Sequence, residues 1–165
     1  MAKNISMFKR AIALSIAAAF FTHCSTEAPP VDRSTLTEAQ KRLPEYAVSG
    51  LEVADGLEAT LFAAEPMIMN PTNIDVDPRG RVWVCEAFNY RSELNPGNEV
   101  DAKGDKIVIL EDTDGDGKAD SRKIFYQGTD INAALGIGVF GNKVIVSCSP
   151  NVFIFTDEDG DDVPA

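Results

Sequence analysis

From residue 70 onward the chain alternates between short apolar runs and polar turns, and the runs are strand-like rather than helical. Residues 73–76 lead into Asp77-Pro78-Arg79-Gly80, with Pro and Gly placed for a tight hairpin turn. Residues 81–85 alternate and include Val82, Trp83 and Val84, which suits a half-buried strand. A long polar loop, residues 86–104, separates this strand from the next, at 106–110; a further strand is predicted at 122–126. The pattern then restarts with strands at 137–140, 143–146 and 151–155, the first two joined by Gly141-Asn142. Upstream, residues 58–63 read as one more strand, followed by a loop through Pro66 and Pro71. Residues 35–43 read as one short helix with Thr37 and Gln40 at capping-box spacing, bounded by Pro44.

Four antiparallel strands, repeated with their turns in matching places, describe the blades of a β-propeller. The expected fold is therefore all-β: a partial β-propeller of about two four-stranded blades, the second lacking its outer strand. A propeller closes with roughly four to eight blades, so the chain is expected to be an N-terminal fragment of a larger ring. The strand at 58–63 would complete the last blade of that ring and hide its edge.

One acidic loop punctuates both repeats. Asp112-Thr113-Asp114-Gly115-Asp116-Gly117-Lys118-Ala119-Asp120 follows the apolar run 107–110, and Asp157-Glu158-Asp159-Gly160-Asp161-Asp162 follows 152–155, 45 residues later. A fixed period of this length marks one repeated supersecondary unit. Asp at positions 1, 3, 5 and 9 with Gly at 6 can wrap a hard cation such as Ca2+ in oxygen ligands. Asp112, Asp114, Asp116 and Asp120 would give carboxylates, and Lys118 its carbonyl; Asp157, Asp159 and Asp161 would repeat the set. An EF-hand is excluded, because the flanks are strands and Lys123 stands where a bidentate Glu is needed. The competing reading is a solvated hairpin turn, where Asp and Gly are favoured for conformation alone. The second loop departs from the first, with Asp162 in place of the glycine and Ala165 at position 9.

Charge narrows the function classes. The net charge is −11, from 15 basic and 26 acidic residues. Lys3, Lys9 and Arg10 precede residue 24 and every acidic residue follows it, so the remainder is more acidic still. Such a surface repels phosphate backbones and excludes nucleic acid as a partner. The basic start and the apolar stretch 11–21 read as an export signal too short to span a bilayer. Phe21-Thr22-His23-Cys24 resembles a bacterial lipobox, in which Cys24 is lipidated and becomes the mature N-terminus. The alternative is a plain secretory signal. Three regions follow: a signal at 1–24, a tether and short helix at 25–50 containing Pro29-Pro30, and the propeller part at 51–165. The expected location is the periplasmic face or the outer membrane, with a lipid anchor to the membrane. Cys85 and Cys148 end apolar runs, which suits buried free thiols; export also leaves one disulfide open.

Glu86, Asn89, Tyr90 and Arg91 place a carboxylate, an amide, a phenol and a guanidinium at a strand end. In a four-stranded blade this loop shares a face with the connections between blades, so these residues would line one rim with Asp130 and Asn132. The acidic loops belong on the opposite face, where they would brace hairpins rather than meet substrate. The competing reading of the rim is an Arg–Glu bridge with Tyr packing. No nucleophile–His pair is available, since His23 in the signal is the only histidine.

Several ordered motifs carry a resemblance: 56–66 (Gly-Leu-Glu-Ala-Thr-Leu-Phe-Ala-Ala-Glu-Pro), Asn70-Pro71-Thr72, 77–84, Glu86, Asn89-Tyr90-Arg91, and the acidic loop after 107–110. Over residues 51–165 the chain resembles a bacterial group of membrane-bound dehydrogenase propellers from Planctomycetes, Verrucomicrobia and Bacteroidetes. That group is similar to sugar dehydrogenases that use pyrroloquinoline quinone (PQQ). The resemblance implies an exported oxidoreductase acting on sugars or alcohols, with PQQ as cofactor and an electron-acceptor domain, often with c-type haem, downstream. No haem attachment motif lies in this sequence. The fragment alone is expected to be inactive, with the catalytic base supplied by later blades. The rival readings are a non-catalytic propeller that binds glycans or proteins, and a calcium-binding surface module without a ligand groove.

Overall fold

The computed structural model describes residues 31–90, 94, 97 and 99–165. The segment expected to be an export signal, Cys24 and Arg91 lie outside the described residues. Among those described, no helix is long and apolar enough to cross a membrane.

Among the described residues, seven strands form two antiparallel sheets. The first has the order β1 (Pro71–Val76), β2 (Val82–Glu86), β3 (Asp105–Glu111) and β4 (Ser121–Gly128); the second has β5 (Gly136–Phe140), β6 (Lys143–Cys148) and β7 (Asn151–Thr156). Each strand pairs with its neighbour in sequence, the arrangement that short connections favour. The predicted strands from 73 to 155 all form, most of them lengthened by one or two residues. Among the described residues the sheets stand side by side without closing into a barrel.

Side-chain alternation explains the packing. Trp83, Cys85, Ile107, Ile109 and Phe125 point from the first sheet towards Val144, Val146 and Cys148 of the second, with Phe153 and Phe155 packed on the cluster. Aromatic rings join the sheets: Phe125 meets Phe155 edge-on at 6.1 Å, and Tyr126 lies 4.5 Å from Phe155. Each such buried side chain contributes about 1.5–3 kcal/mol of transfer free energy. Polar side chains of β1 finish the junction. Asp75 Oδ2 accepts from the Val139 N–H at 2.7 Å and Asn73 Oδ1 from the Ile137 N–H at 3.2 Å, so the edge of β5 is covered.

Val84, Val108 and Leu110 point the other way, and Phe62, Ala63, Met67 and Ile68 cover them. This corrects the strand expected at 58–63. The segment spends its apolar side chains on a sheet face and so lies across the sheet instead of along an edge. The Ala119 N–H reaches Phe62 O at 2.8 Å, but no ladder forms there. The helix expected at 35–43 is also corrected, to 3₁₀ turns at Arg33–Thr35 and Gln40–Arg42. The capping pair is present, with Gln40 Oε1 accepting from the Thr37 N–H at 2.9 Å and Thr37 Oγ1 from the Gln40 N–H at 3.3 Å. With no buried residue in either turn and Pro44 next, nothing propagates the helix.

Two features fix the ends of the sheets. Gly104 sits at φ +96°, and a Cβ there would come within 2.1 Å of the Gly128 carbonyl carbon, so only glycine allows the approach. Cys85 and Cys148 are free and buried. Burial, with Cys148 nearby, pushes the Cys85 thiol up to about 12, and burial also raises Cys148.

Candidate functional site

The two acidic loops have one backbone geometry. In the first, Asp112 Oδ1 accepts from the Gly115 N–H at 2.7 Å and Oδ2 from the Gly117 N–H at 2.8 Å; in the second, Asp157 accepts from Gly160 at 2.8 Å and Asp162 at 3.0 Å. The third and fifth positions repeat likewise. Asp116 Oδ1 takes the Lys118 N–H at 2.8 Å, and Asp161 Oδ1 takes the Val163 N–H at 2.9 Å. The loops close with Asp120 N–H to Glu111 O at 3.0 Å and Ala165 N–H to Thr156 O at 2.9 Å. Asp162 adopts φ +61°, the left-handed conformation that Gly117 takes at +86°, which explains how the loop tolerates losing its glycine.

In each loop three carboxylates converge: Asp112, Asp114 and Asp116, then Asp157, Asp159 and Asp161, with one oxygen from each within 4.8 Å of the others. Hard oxygen donors this close fit a hard divalent cation, and like charges this close repel without one. The Gly117 N–H, with those of Gly115 and Asp116, holds the Asp112 carboxyl below its usual range, keeping it ionised for such a role. Asp120 departs from the expected ligand set. Both its oxygens accept from the Thr113 hydroxyl, at 2.8 and 2.7 Å, so it closes the loop base instead of facing the other three carboxylates.

The rim residues divide into separate groups. Asn89 and Asn132 do come together around Asp105, which is fully buried. Asp105 accepts from the Asn89 N–H at 2.8 Å and the Ala133 N–H at 2.7 Å, while Asn132 Oδ1 accepts from the Asp105 N–H at 2.9 Å. Asp130 instead accepts from the Tyr126 hydroxyl at 3.0 Å. Burial first, and then Asp130, raises the Tyr126 phenol. Tyr90 is exposed, with its N–H on Ala87 O at 3.1 Å.

Glu86 does not join that rim. At 2% exposure it lies on the opposite sheet face, where Oε2 accepts from Arg122 at 2.9 Å and Oε1 from the Met69 N–H at 2.9 Å. The physical reason is strand alternation: Cys85 faces the inter-sheet core, so Glu86 faces away. Glu86 therefore pairs with Arg122, whereas the arginine of the expected bridge, Arg91, lies outside the described residues. Glu86 and Arg122 border a cleft of about 350 Å³ with Lys106 and Asp101, which also pair with each other at 2.7 Å. Sequence reasoning missed Asp105, Arg122 and the buried Asp77–Arg81 pair. The signal for Asp77 was its own turn, since an Asp opening a Pro-Arg-Gly turn is placed to bond the amides ahead of it.

The fold and the loops define an antiparallel β protein of two sheets, each carrying an acidic loop after its third strand. Residues 43–164 match a family described as a domain of unknown function (DUF7133), and the chain belongs to that family. No curated protein and no solved structure matches the chain.

Proposed function

We propose that the chain forms two successive blades of a β-propeller, braced by calcium at its acidic hairpins, in an exported, lipid-anchored protein of the membrane-bound dehydrogenase class. The observation that carries it is the recurrence, after equivalent third strands, of one carboxylate cradle whose first, third and fifth aspartates accept from matching backbone N–H groups. Burial supports further blades. Ile107 and Ile109 of the first repeat are 0% and 3% exposed against the second sheet, while Val152 and Ile154, 45 residues later, are 66% and 63% exposed. A third sheet in the same relation would cover them.

Calcium would be held by Asp112, Asp114 and Asp116, and by Asp157, Asp159 and Asp161; its chemistry there is to cancel carboxylate repulsion and stiffen the hairpins. The dehydrogenase class rests on the resemblance in motifs, which also supplies PQQ, a sugar or alcohol substrate and an electron-acceptor partner. These residues do not fit a tricarboxylated quinone: Asp130 on the rim and Asp101 at the neighbouring cleft are acidic, and Lys106 is paired to Asp101. No quinone contact is assigned to these residues. The second reading, a non-catalytic propeller that holds glycans or proteins, is favoured where Asn89, Asp105 and Asn132 tie loops together and leave the described rim without a catalytic group.

Calorimetric titration of the full chain with calcium, after chelator treatment, tests the brace. Binding should raise thermal stability, by about 2.7 kcal/mol at one hundred times Kd, and Asp112→Asn with Asp116→Asn should weaken it. An unchanged melting temperature at millimolar calcium refutes the brace.

A further inference from the structure

The two acidic loops differ at one position, and that difference reaches the other sheet. Where the first loop has Gly117, the second has Asp162, a side chain held in the left-handed conformation at φ +61°. That conformation costs a non-glycine residue roughly 1 kcal/mol or more. The carboxylate occupies a specific place. Oδ1 accepts from Arg81 Nη1 at 2.8 Å, and Oδ2 lies 3.6 Å from Lys123 Nζ. Lys123 Nζ also donates to the Asp161 carbonyl. Both basic residues belong to the first sheet or its turn: Arg81 directly precedes β2, and Lys123 lies in β4.

Arg81 is itself fixed from behind. Its Nε donates to Asp77 Oδ2 at 2.7 Å, and that same oxygen accepts from Trp83 Nε1 at 3.0 Å. The guanidinium carbon lies 5.4 Å from the centre of the Trp83 ring. The Arg81 and Asp77 side chains are only 8% and 5% exposed, so the pair is screened from solvent. A fixed, desolvated guanidinium with one face spoken for by Asp77 presents its remaining donors to the loop of the second sheet. Charge-assisted hydrogen bonds of this kind are the strong ones.

We propose that Asp162, Arg81 and Lys123 form an ionic clasp that docks the acidic-loop end of the second sheet onto the first. The clasp goes beyond the cation reading and needs no bound ion. It complements the aromatic core, which joins the sheets along their length, by fixing their relative position at one end. It also gives the second loop a role the first loop cannot have, since Gly117 offers no side chain.

Asp162→Gly in the full chain, measured in chelator, gives a test by sign. Glycine is the residue of the first loop and relieves the left-handed backbone, so a mere turn position would gain stability or stay unchanged. The clasp predicts a lower melting temperature instead. It also predicts amide hydrogen exchange about tenfold faster in both 157–163 and 79–83, with 112–120 unchanged. Asp162→Asn, which keeps an acceptor and tolerates the same backbone, should show a smaller loss in both segments. A melting temperature for Asp162→Gly at or above that of the parent, or faster exchange confined to 157–163, overturns the clasp. Because no divalent cation is present, failure here leaves the calcium brace standing, and failure of calcium binding leaves the clasp standing.

Discussion

Arg122→Met separates a structural Glu86 from one that waits for substrate. Glu86 is 2% exposed and has two partners, the Arg122 guanidinium at 2.9 Å and the Met69 N–H at 2.9 Å. Methionine keeps most of the aliphatic stem and removes the charge, so the carboxylate is left buried with one neutral donor. Removing one partner of a buried pair costs about 3–5 kcal/mol. The Arg122 side chain is 27% exposed, so water already reaches the Arg122 end of the pair, and the expected loss falls to about 2–3 kcal/mol. With a urea slope of about 1–3 kcal/mol per molar, the midpoint should fall by about 0.7–3 M. Trp83, the only tryptophan and buried between the sheets, reports the transition by fluorescence. Adding Glu86→Gln to Arg122→Met should recover about 1–2 kcal/mol, because the stranded charge is gone. A loss for Arg122→Met below about 0.5 kcal/mol, within the range of ordinary surface changes, refutes the buried-pair account.

Two further outcomes test the interior. In the folded chain, iodoacetamide should label neither Cys85 nor Cys148, because burial raises both thiols, Cys85 to about 12. Peptide mass spectrometry should find both labelled in denaturant, and fast native labelling of Cys85 would contradict its position. Asp77 gives a pH dependence. Burial opposes its charge, but hydrogen bonds from Trp83 and Arg81 outweigh this and hold the carboxyl below its ordinary value of 3.8. A lowered folded value means the contribution is present above pH ~4 and is lost as pH falls through the folded value. Urea midpoints from pH 7 downward should therefore drop more steeply for the parent than for Asp77→Asn below pH ~4, and parallel curves would refute the assignment.

The strands, their order and the loop period were all legible in the sequence. Apolar alternation in 81–85 and 106–110, with turn residues between, can bury one face only as a sheet, and the 45-residue recurrence of the acidic loop needs no coordinates. The rim was legible in part. Asn89 and Asn132 meet, Nδ2 to Oδ1 at 3.5 Å, but around the buried Asp105, whose burial nothing in its polar character foretold. Which face Glu86 takes depends on which side of β2 is packed against the second sheet, a fact of inter-sheet packing that neither strand carries alone. The segment 58–63 has a strand-like composition, yet it covers Val84, Val108 and Leu110 because an open apolar face outbids an edge ladder for those side chains. Local alternation thus determined the strands of the two sheets by itself. Tertiary packing alone decided the partners of Glu86, Asp105 and Asp162, since each long-range pairing depends on how distant segments stack and on which charges that stacking removes from water.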